Sequence, residues 1–117
     1  MDEELLVTAV HSRTSGGPGR SLNDARRHHF VIDASGEQAE EITPGEAFLS
    51  GLSACGVLML ERQAAERGVP LHVAEAWIDG FRRRSDTTWY ERVDLRFRVS
   101  GPARQEAEEL VEYYRGH

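Results

Sequence analysis

One thiol is the group in this chain best equipped for covalent chemistry. Cys55 is the only cysteine. An ionised cysteine is a nucleophile that can be oxidised, whereas a thiol sunk in apolar surroundings is only a small hydrophobe. What lifts Cys55 above the second reading is the segment that carries it, TPGEAFLSGLSACGVLML, from Thr43 to Leu60. Ser50, Gly51, Ser53, Ala54 and Gly56 crowd the thiol, where a helix that merely filled a core would favour Leu and Ile. A helix so stripped of side chains lets a substrate, another backbone or a partner subunit come close to the sulfur.

Glu46 is the nearest carboxylate before Cys55 on this segment. Thr43, Pro44 and Glu46 read as N-cap, N1 and N3 of a helix with a capping box, which explains Glu46 without any catalytic role. At about 100° per residue, Glu46 also falls roughly opposite Cys55 on an ideal helix. Phe48, Leu52 and Met59 share the face of Cys55. They read equally as core and as the wall of an apolar pocket.

Other chemistries find less support. All 14 basic residues are Arg, which excludes Schiff-base and P-loop lysine chemistry. His11, His28, His29 and His72 form no HxH or HxxxH spacing, and neighbouring His28 and His29 point to opposite faces of a strand, so no metal site is expected. The net charge of -6 disfavours nucleic acid as a partner. Arg26-Arg27 and Arg82-Arg83-Arg84 read as solvated strand or turn edges. The acidic start, MDEELLVTAV, is unlike a signal peptide, and no apolar run approaches the length of a membrane span. With one cysteine there is no disulfide framework either, and the expectation is a cytoplasmic protein with no membrane contact.

The elements that would position these residues are those of a single α+β domain over 1–117. Leu5 to His11 reads as a first strand, Ser12 to Asp24 as a Gly-rich loop or hairpin tip, and His29 to Asp33 as a second strand. A long central helix should run from Pro44 to Arg67, with Gly68 as C′ residue and Pro70 preventing continuation. Its first half, apolar almost all round, should be buried on most sides, and its polar second half should surface. Leu71 to Phe81 and Trp89 to Val99 read as an antiparallel hairpin. Leu71, Val73, Trp77 and Phe81 share one face of the first strand, and Val93, Leu95, Phe97 and Val99 share one face of the second. A last helix follows Ser100-Gly101-Pro102, with Ala103, Ala107, Leu110, Val111 and Tyr114 as its apolar stripe. Mean hydropathy of -0.52 is low for a globular chain, so a second subunit is expected to complete part of the core.

Pro44-x-Glu46, followed by an apolar and small-residue run ending in Ala54-Cys55, resembles the helix of the OsmC/Ohr family (osmotically inducible protein C and organic hydroperoxide resistance proteins). The order of elements fits that family along nearly the whole chain. The resemblance implies an intertwined homodimer with the central helices at its heart and sites at the subunit interface. It makes Cys55 the nucleophile that attacks the O–O bond of an organic hydroperoxide, with no metal, no bound cofactor and an external thiol or dithiol as reductant. The activating arginine would come from the N-terminal loop or hairpin. Arg13, Arg20, Arg26 and Arg27 are candidates, and Arg20 is chosen because Gly16-Gly17-Pro18-Gly19 before it resembles the family's glycine-rich approach. Glu46 would be the catalytic carboxylate, although the hydroperoxide-resistance branch places its own where this chain has Gly45. Phe48, Leu52 and Met59 would line the substrate pocket.

The family's resolving cysteine typically follows the last helix, and here the sequence runs Arg115-Gly116-His117 about where it would stand. Either a longer chain carries that cysteine or this member has none, and a family member without peroxidase activity, binding a small apolar or electrophilic ligand in the same pocket, is the alternative.

Overall fold

The computed structural model describes residues 4–116; the expectation placed on His117 lies outside them. The elements, in order, are β1 (His11–Thr14), β2 (Arg20–Ala25), β3 (His28–Asp33), a 3-10 turn at Gly36–Gln38, α1 (Pro44–Arg67), β4 (Val73–Phe81), β5 (Arg92–Ser100) and α2 (Arg104–Arg115). This is an α+β architecture with two antiparallel sheets, β1-β2-β3 and β4-β5. The chain divides into two compact units, one up to Ala47 and one from Phe48 onward.

The first unit holds a three-stranded sheet where the sequence suggested a hairpin. The expected strand at Leu5–His11 begins only at His11, and residues 5–10 lie outside any element with Leu5, Leu6 and Val7 exposed. Two strands run instead through the stretch read as a loop. Their residues are poor strand formers, and side-chain bonds compensate. Asn23, paired with Ser12 and Phe30 across the sheet, is only 3 % exposed. Its amide oxygen accepts from Ser12 Oγ at 2.7 Å and Ser21 Oγ at 3.2 Å, while its nitrogen donates to the Phe30 carbonyl at 3.0 Å. A buried amide satisfied in this way fixes the register of all three strands.

α1 has the ends read from the sequence. The Thr43 N–H donates to Glu46 Oε1 at 2.9 Å and the Glu46 N–H to Thr43 Oγ1 at 3.1 Å, a complete capping box. At the other end Gly68 takes φ 68°. Val69 N–H bonds the Ala64 carbonyl and Gly68 N–H the Ala65 carbonyl, which together make a Schellman motif.

Burial along α1 differs from expectation. The residues it buries are Gly56, Leu60, Gln63 and Ala64, while Phe48, Leu52 and Leu58 stay exposed. The reason is what packs on the helix. Leu60, Ala64 and Leu110 form the core of the second unit, with Phe97, Val99 and Tyr114 among the side chains around them, so the packed part is the middle and end of α1. Gln63 joins it because its amide donates to Glu66 at 2.8 Å and accepts from Arg67 at 3.0 Å. Gly56 makes the close approach possible. A Cβ there would stand 2.9 Å from Phe97 Cζ and 3.4 Å from Tyr114 Cζ.

In the β4–β5 hairpin the two apolar sets lie on opposite faces. The register pairs Trp77 with Arg96, Phe81 with Arg92 and Glu75 with Arg98, so Val73, Trp77 and Phe81 share the arginine face and remain exposed. Arg92 lies 4.3 Å above the Phe81 ring and Arg96 lies 5.8 Å above Trp77. The opposite, better buried face carries Ala74, Ala76 and Ile78 from β4 with Leu95, Phe97 and Val99 from β5.

Candidate functional site

Cys55 is exposed, on the small-residue stretch of α1. Phe48 and Leu52 before it are 55 % and 38 % exposed, and Met59 after it is half-buried. The helix thus brings Cys55 together with Phe48, Leu52 and Met59 on one accessible apolar face. That face is an open wall. Phe48 is steadied by stacking on Tyr90, with ring centroids 5.9 Å apart.

Arg20 and Glu46, the other two residues singled out for catalysis, both have local duties. Arg20 Nε donates to Asp33 Oδ2 at 2.9 Å and its Nη2 to Glu40 Oε1 at 3.3 Å. Asp33 is fully buried. It also accepts from the Ser35 hydroxyl at 2.5 Å, the Ser35 N–H at 2.9 Å and the Glu40 N–H at 3.0 Å. These bonds, Ser35 Oγ foremost and the Arg20 charge last, hold the Asp33 carboxyl down at about 2. Around Arg20 lies a cleft of about 360 Å³ walled by Leu22 and Val31. Glu46 is held by the capping box.

Sequence reading passed over two of these groups. Asp33 was visible only as the end of a strand, and nothing in the pattern distinguished it from a surface aspartate. Tyr114 was read as part of an apolar stripe, yet its hydroxyl donates to the Leu52 carbonyl at 3.3 Å, one turn before Cys55. The phenol is pushed up by burial first and by the charge of Cys55 second. A tyrosine in the last turn of an amphipathic helix is a weak signal, because one edge of its ring is apolar and only the tip is polar.

A separate cleft of about 400 Å³ opens beside β5 and α2, floored by Phe97, Val99 and Val111 with Arg104, Glu108 and Glu112 around it. Among the described residues no group of three or more His, Cys, Asp or Glu side chains is placed to hold a metal ion. No helix among them is long and apolar enough to cross a membrane.

The sequence model of the OsmC-like protein family matches residues 35–117, the stretch that contains α1 and its cysteine. The chain belongs to the OsmC-like family. Solved structures agree on the fold of this OsmC-like chain. It is similar to an OsmC-like protein of Mycoplasma pneumoniae at 18% identity and a TM-score of 0.83, over 97% of this chain and 81% of that one. An organic hydroperoxide resistance protein OsmC from Legionella pneumophila matches at 17% identity and TM-score 0.70, over 94% and 82% of the two chains. The organic hydroperoxide resistance protein OhrB of Bacillus subtilis matches at 22% identity and TM-score 0.64, over 93% and 83%. No curated protein sequence matches the OsmC-like chain.

Proposed function

We propose that this OsmC-like protein reduces organic hydroperoxides through Cys55, as a cytoplasmic homodimer recycled by an external thiol or dithiol. The observation that carries this reading is an exposed lone thiol on the small-residue stretch of a capped helix, inside the region that matches the family. Two structural relatives bear the name organic hydroperoxide resistance protein. The Cys55 thiolate attacks the terminal oxygen of the hydroperoxide. An S–O bond forms, the O–O bond breaks, and the departing alkoxide takes a proton to become an alcohol, leaving a sulfenic acid. An external thiol displaces hydroxide from that sulfur, which leaves as water, and forms a mixed disulfide. A second thiol releases Cys55 and carries away the disulfide. Phe48, Leu52 and Met59 supply an apolar surface for the alkyl group, and the chemistry calls on no cofactor.

Arg20 and Glu46 are the catalytic partners proposed with Cys55, Arg20 to favour the thiolate and Glu46 to orient the arginine. Turnover of cumene hydroperoxide with dithiothreitol tests the central step. Cys55→Ser should abolish it with the circular dichroism spectrum unchanged, and equal activity in variant and parent would end the proposal.

A second reading has an observation of its own. Arg20 is bonded to two carboxylates and Glu46 to the backbone of its own cap, an arrangement suited to a member that has kept the fold and binds a small apolar or electrophilic ligand without turnover. Covalent capture of an electrophile at Cys55 in a protein inactive toward hydroperoxides would select it.

A further inference from the structure

The Leu52 carbonyl accepts a side-chain hydrogen bond from the second helix. Tyr114 Oη donates to it at 3.3 Å from the last turn of α2. Cys55 stands three residues after Leu52, and a hydroxyl or thiol three positions on can turn back to such a carbonyl. The same helix shows this geometry at the neighbouring pair, where Ser53 Oγ donates to the Ser50 carbonyl at 3.2 Å. A Cys55 thiol in that rotamer shares an acceptor with the Tyr114 hydroxyl. The tyrosine is held there by its ring, which meets Phe97 edge-on at 5.6 Å between centroids and lies 3.4 Å from where a Cβ on Gly56 would stand.

We propose that Tyr114 is a positioning residue for Cys55, whose hydroxyl turns from the Leu52 carbonyl to the sulfur when the thiol ionises and stabilises the thiolate by donating to it. This rests on the reading of Cys55 as a reactive thiol. A thiol can share a carbonyl acceptor as a donor; a thiolate cannot, and needs a donor of its own. Among the described residues, Tyr90 stacks on Phe48 one turn before Leu52 with Arg82 over its ring, and the other elements packed here bring few charged groups. Between Glu46 and Glu61, α1 has no ionisable side chain except Cys55. The buried face of β4 and β5 contributes Ala74, Ala76, Ile78, Leu95, Phe97 and Val99, none of which titrates. From α2 the residues packed in the core beside Tyr114 are Leu110 and Val111. The upward push on the Tyr114 phenol by the Cys55 charge agrees with the two groups lying in each other's field.

The test is alkylation of the full chain by iodoacetamide across pH 5 to 10, which needs no peroxide and so stands apart from the peroxidase assay. Tyr114→Phe keeps the ring and removes the hydroxyl alone. The pH of half-maximal rate should rise by about half a unit to one unit, slowing alkylation at pH 7 by about three- to tenfold, with the high-pH plateau unchanged. Tyr113→Phe, one position away, should leave the profile where it was. Superimposable profiles for Tyr114→Phe and parent overturn the proposal, as does an equal shift in Tyr113→Phe. Thiolate absorbance at 240 nm, titrated on the same proteins, should move in step with the rates, and a titration that stays fixed also overturns it.

Discussion

Arg20 reaches Asp33 through a single 2.9 Å bond, and that aspartate is fully buried. The pair ties the start of β2 to the end of β3, and through Glu40 to the segment that leads into α1. A carboxylate held down at about 2 in the folded protein and near 3.9 when unfolded favours folding above the unfolded value. That contribution is complete above about pH 5 and is lost as pH falls from about 4 toward 2.

Asp33→Asn should therefore lower the melting temperature at pH 7 and flatten its fall between about pH 4 and pH 2. Thermal melts of parent and variant at several pH values check this. Identical slopes in the acid range would show that Asp33 is no acid-sensitive support of the fold.

Oxidation should follow the arithmetic of one cysteine. In a chain with a single thiol, peroxide without added reductant should add oxygen to the intact mass and form no internal disulfide. Excess peroxide should carry Cys55 on to the sulfinic acid, and a dithiol should restore the starting mass only from the first stage. Intact mass spectrometry distinguishes these species. A rapid, quantitative disulfide between two copies would instead place the two Cys55 thiols together.

Few apolar side chains are fully covered in the single chain. Leu60, Ala64 and Leu110 are the buried hydrophobics among the described residues, while Leu5, Leu6, Phe48 and Leu58 are more than half exposed. A stable homodimer burying on the order of 2,000 Å² would cover such surface. Light scattering at low micromolar concentration should give twice the chain mass, and a folded monomer there would count decisively against the dimer.

Gly56 admits Phe97 and Tyr114 to the surface of α1. Gly56→Val puts a branched side chain where even a Cβ stands 2.9 Å from a ring carbon, and overpacking of this kind costs about 1–3 kcal/mol. Leu110→Ala, at a fully buried position, should cost about 2–5 kcal/mol. Urea unfolding midpoints measure both, and a neutral Gly56→Val would mean that the two rings yield freely.

What the sequence made legible was whatever has a local cause. The ends of α1 follow from Thr43, Glu46 and Gly68, each of which acts within a turn of itself. Strands β1 and β2 were hidden because Ser12, Ser21, Asn23 and Asp24 are turn formers by habit, and only their bonds across the sheet make them strand residues. The side of β4 that meets the core was likewise unreadable. Alternation gives two faces, but the choice between them depends on register with β5, a relation across about twenty residues. At the candidate site, Cys55 and its apolar neighbours share one helix and could be grouped by periodicity. Asp33 beneath Arg20 and Tyr114 beside Leu52 belong to contacts between distant segments, which no spacing announces.

The arginines above Phe81 and Trp77 have a wider consequence for how the β4–β5 hairpin holds its shape. A strand facing water commonly gives up aromatic residues for smaller polar ones, and with them much of its preference for extended backbone. Here guanidinium planes wet the rings from above, so the strand keeps its best β-formers on its more exposed side. Glu75 with Arg98 and Arg92 with Asp94 set opposite charges side by side on the same surface. The outer wall is thus apolar in substance yet hydrophilic at its skin, and its mixed charge makes it a poor template for another sheet to stack upon.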